Sequence, residues 1–209
     1  MRAEKLRTEV RREQIAEAAL RLIGAEGMGS LSVAGIARHV GVVPSALYRH
    51  FRNKDEVLDA VLELIGGKML ENVQAVTTET DDPLEQMENL LMRHIDLVRR
   101  NQAIPRVVFS EDVHAGDLRR KRKAYEMVQR FLGAVARIVE DGQARGMIRE
   151  DLPAQTVALL FFGLIQPGAV LWYLSNGQFD LTLRARENWQ IVRAAIEAPR
   201  ESRRTDPGM

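Results

Sequence analysis

The sequence predicts an all-α protein: a small three-helix unit containing a helix-turn-helix, followed by a helical body of about six helices. Three observations carry this. Apolar residues recur at i, i+3, i+4 and i+7 through most of the 209 residues, and strand-like alternation is rare. The chain is rich in Leu, Ala, Arg and Glu, all good helix formers, and only 5% of it is aromatic. The segment Leu31 to Lys54, LSVAGIARHVGVVPSALYRHFRNK, reads as two short helices joined by a tight turn, with a third helix starting at its end.

The first helix is expected from Thr8, as its cap, to Ala25. Val10, Ile15, Ala18, Ala19, Leu22 and Ile23 lie at helical spacing, and Gly24, Gly27 and Gly29 end it. Ser32 is placed to cap a helix over Val33 to Val40. Pro44 suits the first position of the next helix, read as 44–51, because its missing N–H costs nothing there. Asn53 with Glu56 resembles a capping box for a long helix running past Val73. Helices then follow at Leu84 to Arg100, Ile104 to Ser110, Asp117 to about Arg145, through Val157 to Ser175, and Leu183 to Ala198. Glu111 to Gly116 reads as a loop. The domain boundary is placed at 54/55, giving residues 1–54 and 55–209.

Within the helix-turn-helix, small Ala37 lets the two short helices cross closely. Gly41 stands where the chain must turn with positive φ. Leu47 points to the core, which leaves the opposite face of its helix free. That face carries Ser45, Tyr48, Arg49 and His50, groups able to reach phosphates and base edges of DNA.

Charge supports the same end of the chain. Residues 1–54 hold 10 Lys and Arg against 5 Asp and Glu, while residues 55–209 hold 20 against 24. A basic amino-terminal quarter on a mildly acidic body suits a polyanionic partner. With no cysteine there are no disulfides and no thiolate chemistry, which fits a cytoplasmic setting. The opening MRAEKLRTEVRREQ has no apolar run of the signal-peptide kind. The apolar stretch Val157 to Leu174 is broken by Gly163, Gln166, Pro167 and Gly168, so a buried helix is expected rather than a membrane span. None of G-x-S-x-G, H-E-x-x-H, a Walker loop or G-x-G-x-x-G occurs, and no enzymatic activity or cofactor is expected.

Ala37, Gly41-Val42, Ala46-Leu47-Tyr48, His50-Phe51 and Asn53-Lys54 with Glu56 and Leu58 resemble the helix-turn-helix of the tetracycline-repressor (TetR) family of bacterial transcriptional regulators. The resemblance covers about the first quarter in motif and the remainder in length and helix pattern. It implies three helices for DNA and about six for a regulatory body, a homodimer, and relief of repression by a small ligand. Val43 departs from the Ser, Thr or Asn often found there, since it cannot cap the following helix.

On this reading Ser32, Pro44, Ser45, Ala46, Tyr48, Arg49, His50 and Lys54 make the DNA site. Arg7 and Arg11 are further candidates for backbone contacts. Arg49 is assigned to base edges, with phosphate as its alternative; Tyr48 and Lys54 are assigned to phosphates. The partners expected are a double-stranded operator of inverted-repeat symmetry, a second copy of the chain, and a small, largely apolar effector. The effector candidates are His94, Phe109, Met127, Phe131, Phe162, Gln166 and Trp172, large or polar groups among apolar helices. Leu159, Phe162 and Trp189 are the dimer candidates. Glu111, Asp112 and His114 pose the alternative of a metal-responsive repressor; a capped, solvated loop is the plainer reading. A regulator without an effector is the other alternative. Gly66-Gly67 reads as close helix packing in preference to a hinge. The run Arg119 to Lys123, RRKRK, reads as a solvated helix face.

Overall fold

A computed structural model describes the backbone of residues 2–114 and 117–199, and the side chains of 8–113 and 117–199. Arg7 and His114 therefore fall outside the described side chains. Among the described residues the chain forms α1 (Arg2–Glu26), α2 (Val33–Val40), α3 (Pro44–Tyr48), α4 (Lys54–Glu79), α5 (Pro83–Arg100), α6 (Ala103–Val108), α7 (Glu111–His114), α8 (Leu118–Ala144), α9 (Ala154–Gly163), α10 (Gln166–Leu174) and α11 (Leu181–Ile196). A 3-10 turn, Met28–Ser30, links α1 to α2. The all-α expectation holds.

Two compact units result: residues 1–68 with 100–128, and residues 69–99 with 129–209. In the first, α1 buries Ile15, Ala19, Leu22 and Ile23, α2 buries Val33, Ile36 and Ala37, and α4 buries Val57, Leu58, Val61 and Ile65. Leu47 and Phe51 close this core. Each of the Val, Leu, Ile and Phe side chains among them contributes about 1.5–3 kcal/mol on leaving water.

In the second unit α5 buries Leu84, Met87, Leu90, Leu91, Ile95 and Val98, the face its helical spacing predicts. Asp82 caps it, its Oδ1 accepting from the amides of Leu84 at 2.8 Å and Glu85 at 3.2 Å. Trp189 of α11 is fully buried, edge-on to Phe161, and its indole donates to Glu88 Oε2 at 3.0 Å. An isolated bridge pairs Ile148 with Glu197, tying the loop after α8 to the end of α11.

Four local expectations are corrected. Helix α1 starts at Arg2, so Thr8 lies inside it and caps nothing. The helix expected over 44–51 is regular only to Tyr48; Arg49 and His50 form a turn whose amides return to Leu47. The loop expected over 111–116 opens with the short α7. The helix expected through Val157 to Ser175 is two helices, α9 and α10, with Pro167 at the start of the second. Proline lacks a donor and collides with the carbonyl four residues back, so a helix breaks there, whereas a first turn tolerates it. Nor is this segment buried all round. Ala154–Leu174 is apolar enough by length and composition to cross a bilayer, but only 33% of its most apolar window is buried. Leu159, Leu160, Leu171 and Leu174 face outwards.

Candidate nucleic-acid interface

The turn between α2 and α3 has the predicted physics. Gly41 takes φ 76°, the left-handed conformation that ends α2, and the amide of Val42 donates back to Ala37 O at 2.9 Å. Ser32 caps α2, its Oγ accepting from the amide of Gly35 at 2.9 Å. Val43 stands extended before α3 and supplies no cap, and Pro44 follows at the first helical position. Leu47 is buried, as the spacing requires, and Ser45, Tyr48 and Arg49 are exposed on the other side. Pro44 is exposed beside them, Ala46 is half-buried, and Arg11 of α1 is exposed.

Arg12 secures the far end of α3, a role that sequence spacing does not signal. Its guanidinium lies 4.1 Å from the centre of the Phe51 ring and donates a hydrogen bond to the carbonyl of His50. His50 is half-buried, with Nδ1 enclosed and unpartnered among the described residues. Burial, then the positive charges of Arg11, Arg12 and Arg49, lower its pKa. Its neutral form is thereby favoured in the free protein.

Asn53 caps α4, its Oδ1 accepting from the amide of Glu56 at 2.9 Å, while Glu56 Oε2 accepts from the amide of Arg52 at 2.9 Å. The capping box is thus real, its return bond displaced by one residue. Lys54 is engaged: its Nζ lies 3.1 Å from Asp112 Oδ1. A polar groove of about 650 Å³ runs from Tyr48, Arg49, His50 and Arg52 past Asp55 and Asp59 to Arg119 and Lys123.

The RRKRK run is not a uniformly solvated face. Arg120 is buried, donating to Asp59 Oδ1 at 3.1 Å, Asp55 Oδ1 at 2.8 Å and the carbonyl of Asp112 at 2.8 Å. Arg119 reaches Asp59 Oδ2 at 3.1 Å, and Lys123 reaches Asp59 at 3.4 Å and Glu63 at 2.9 Å. Burial works against the charge on Arg120, but the hydrogen bonds to Asp55 and Asp59 outweigh it and raise its pKa. The α8 start is thereby bolted to the first turns of α4. Asp59 sits among apolar neighbours on α4, and that polar residue in an apolar stripe was the available signal.

The effector candidates separate. His94 is 4% exposed, its ring 5.1 Å from Phe131, which lies 5.9 Å from Phe162. Its Nδ1 has no hydrogen-bond partner among the described residues, and burial lowers its pKa to about 4. Trp172 is buried, and Gln166 is half-buried at the start of α10, not inside a continuous helix. Met127 is buried against Gly66. Phe109 is 51% exposed, so it lines no enclosed pocket. A shallow groove of about 590 Å³ in the second unit, floored by Leu70, Val73, Ala134 and Ile138 and edged by Gln74, Thr77 and Arg137, escaped the sequence reading. Trp189 is ruled out as a dimer contact because its whole surface is already spent inside the protomer, whereas Leu159 is 59% exposed and Phe162 half-buried. Among the described residues no three His, Asp or Glu side chains are grouped to hold a metal, and Asp112 is occupied by Lys54.

A helix-turn-helix that buries one face of its second helix and turns a hydroxyl-, phenol- and guanidinium-bearing face outwards defines a DNA-binding regulator. The chain belongs to the tetR family of bacterial regulatory proteins: residues 15–61 match that family's model, and residues 63–195 match the model described as "YsiA-like protein, C-terminal region". Its members are transcriptional regulators, not enzymes. The chain is 23% identical over 183 residues to the fatty acid metabolism regulator protein of Bacillus subtilis, covering 88% of this chain and 94% of that one. It is 22% identical over 188 residues to the nucleoid occlusion factor SlmA of Vibrio vulnificus, covering 90% and 96%. The same fold recurs in FadR from Bacillus subtilis in complex with stearoyl-CoA, at TM-score 0.76 and 22% identity over 88% of this chain and 98% of that one. It recurs also in KstR2 of Mycobacterium tuberculosis, a ketosteroid transcriptional regulator, at TM-score 0.68 and 20% identity over 90% and 96%.

Proposed function

We propose that this protein is a ligand-responsive repressor that binds an inverted-repeat operator as a homodimer and lets go when a small, largely apolar effector occupies its body. The observation that carries the reading is the outward face of α3 and the turn after it, where Ser45, Tyr48 and Arg49 stand exposed beside a buried Leu47. Arg49 reads base edges; Tyr48 and Lys54 hold phosphates. One such helix reads only a few base pairs, so two copies are required for useful specificity. Leu159, Leu160, Leu171, Leu174 and Ile191, all exposed, supply the apolar face for the second copy. Functionally, residues 1–54 are the DNA head and residues 55–209 the regulatory and dimerisation domain.

His94, Phe131 and Phe162 mark the effector site. The His94 Nδ1, buried beside Phe131 and without a hydrogen-bond partner among the described residues, suits an effector with a polar group beside a long apolar part. A long-chain acyl-CoA is the first compound to try, because the similar FadR is solved with stearoyl-CoA. The protein works in the cytoplasm, without cofactor or membrane attachment. The test is selection of duplexes from a random pool, followed by titration of the bound complex with stearoyl-CoA. Recovery of a two-fold symmetric sequence, and its release by the ligand, supports the reading. Absence of any enriched duplex rejects it.

A further inference from the structure

Val40, Val42 and Val43 are 45%, 40% and 65% exposed. Three branched apolar side chains within four residues thus surround the entry to α3, beside the exposed Ser45, Tyr48 and Arg49. Val43 stands extended before Pro44, a conformation that the proline imposes and a β-branched residue favours, but the local fold does not require an apolar side chain there. Val43 occupies the cap of α3 with φ −73° and ψ 140°, where Ser, Thr, Asp or Asn would accept a hydrogen bond from the first amides of the helix, and its side chain makes none. Its methyl groups are not buried in the protomer either. The residue gives up a cap without gaining core packing, so its return lies outside the free protein.

The first residues of the second helix of a helix-turn-helix meet base edges, and Val43 directly precedes them. Base pairs present one apolar group in the major groove, the 5-methyl of thymine. We infer that Val43 is a specificity-determining residue that packs its methyl groups against a thymine methyl in each half-site, with Val42 shielding the contact from water. This rests on the reading of α3 as the DNA-contacting helix. It adds an apolar reader to a face otherwise built from hydrogen-bonding groups, and it explains why a poor capping residue stands at the cap.

The experiment uses the full chain. An operator is selected from random duplexes, and each thymine is then replaced singly by uracil, which removes only the methyl group. The expected result is one symmetry-related position in each half-site where uracil weakens binding, by roughly 3- to 10-fold for a lost methyl contact of this size. Val43→Ala should bind the thymine and uracil duplexes equally while melting at the wild-type temperature. Wild-type indifference to every uracil substitution overturns the inference, as does a selected operator without thymine or a uracil penalty that survives in Val43→Ala. If no duplex is enriched, the reading of α3 falls together with the inference; if a symmetric operator is enriched without a methyl effect, only the inference falls.

Discussion

Replacing Arg120 by methionine keeps the apolar stem and removes three hydrogen bonds, to Asp59, Asp55 and the carbonyl of Asp112. The Arg120 side chain is 3% exposed and that of Asp59 9%, so water does not replace what Asp59 loses, whereas Asp55, 51% exposed, is rehydrated. Taking one partner from a buried ion pair typically costs about 3–5 kcal/mol. Asp59 retains Arg119 and Lys123, which lowers the expected loss here to about 2–3 kcal/mol. At roughly 2–4 °C per kcal/mol for a chain of this size, the melting point should fall by about 5–10 °C. Arg122 is the control within the same basic run: its side chain is 76% exposed, and its pair with Glu126 at 3.6 Å is a surface one. Arg122→Met should change stability by less than about 0.5 kcal/mol. Urea unfolding followed by circular dichroism, at equal protein concentration, measures both. If the two variants agree within error, the burial and pairing argument for Arg120 is wrong.

Burial lowers the His94 pKa from 6.5 to about 4, so the folded protein resists protonation there and the unfolded chain does not. Stability from this group is fully present above pH 6.5 and is lost as pH falls toward 4, by about 3 kcal/mol at most. His94→Leu should flatten the stability profile in that window; an unchanged slope between pH 6.5 and 4.5 removes the assignment. A Cβ on Gly66 would lie 2.8 Å from Met127 Cγ, whereas Gly67 has open space. Gly66→Ala should therefore destabilise by up to about 2 kcal/mol, the overpacking cost less the helix-propensity gain, and Gly67→Ala, with that gain alone, should stabilise by up to about 1 kcal/mol, a difference readable by thermal melting. Asp112 holds Lys54 in the free protein, so Asp112→Asn should tighten operator binding about 2- to 5-fold at low salt, the worth of an exposed ion pair. The same gain in a Lys54→Met background would show that Lys54 is not the group released.

The sequence displayed its local rules openly. Gly41, Leu47, Ser32 and Asn53 act within a few residues of themselves, through a positive φ, a buried side chain and two helix caps, and each was readable from spacing. The break at Pro167 was also visible, but the expectation that the surrounding run is buried confused apolar composition with a position in the core. The rest depends on partners distant in the chain. Arg120 looks like its neighbours in RRKRK until Asp55 and Asp59, more than 60 residues earlier, are placed beside it. Arg12 likewise gains its meaning only from Phe51 and the carbonyl of His50. Trp189 illustrates the reverse: a large aromatic on an amphipathic helix suits an interface or a core equally, and only Glu88 and Phe161 decide between them.

The most direct test is a comparison of wild type with Arg49→Ala on the duplex that wild type selects, read as protected bases and as affinity against salt. Two protected half-sites related by a two-fold axis are expected, about 10 base pairs apart or a multiple of that. Loss of Arg49 should remove preference at its base pair, by about 1–3 kcal/mol, while the general salt-dependent attraction to duplex remains. A single unsymmetric footprint, or an Arg49→Ala protein with undiminished sequence preference, contradicts the assignment of α3 and the turn after it as the surface that reads DNA.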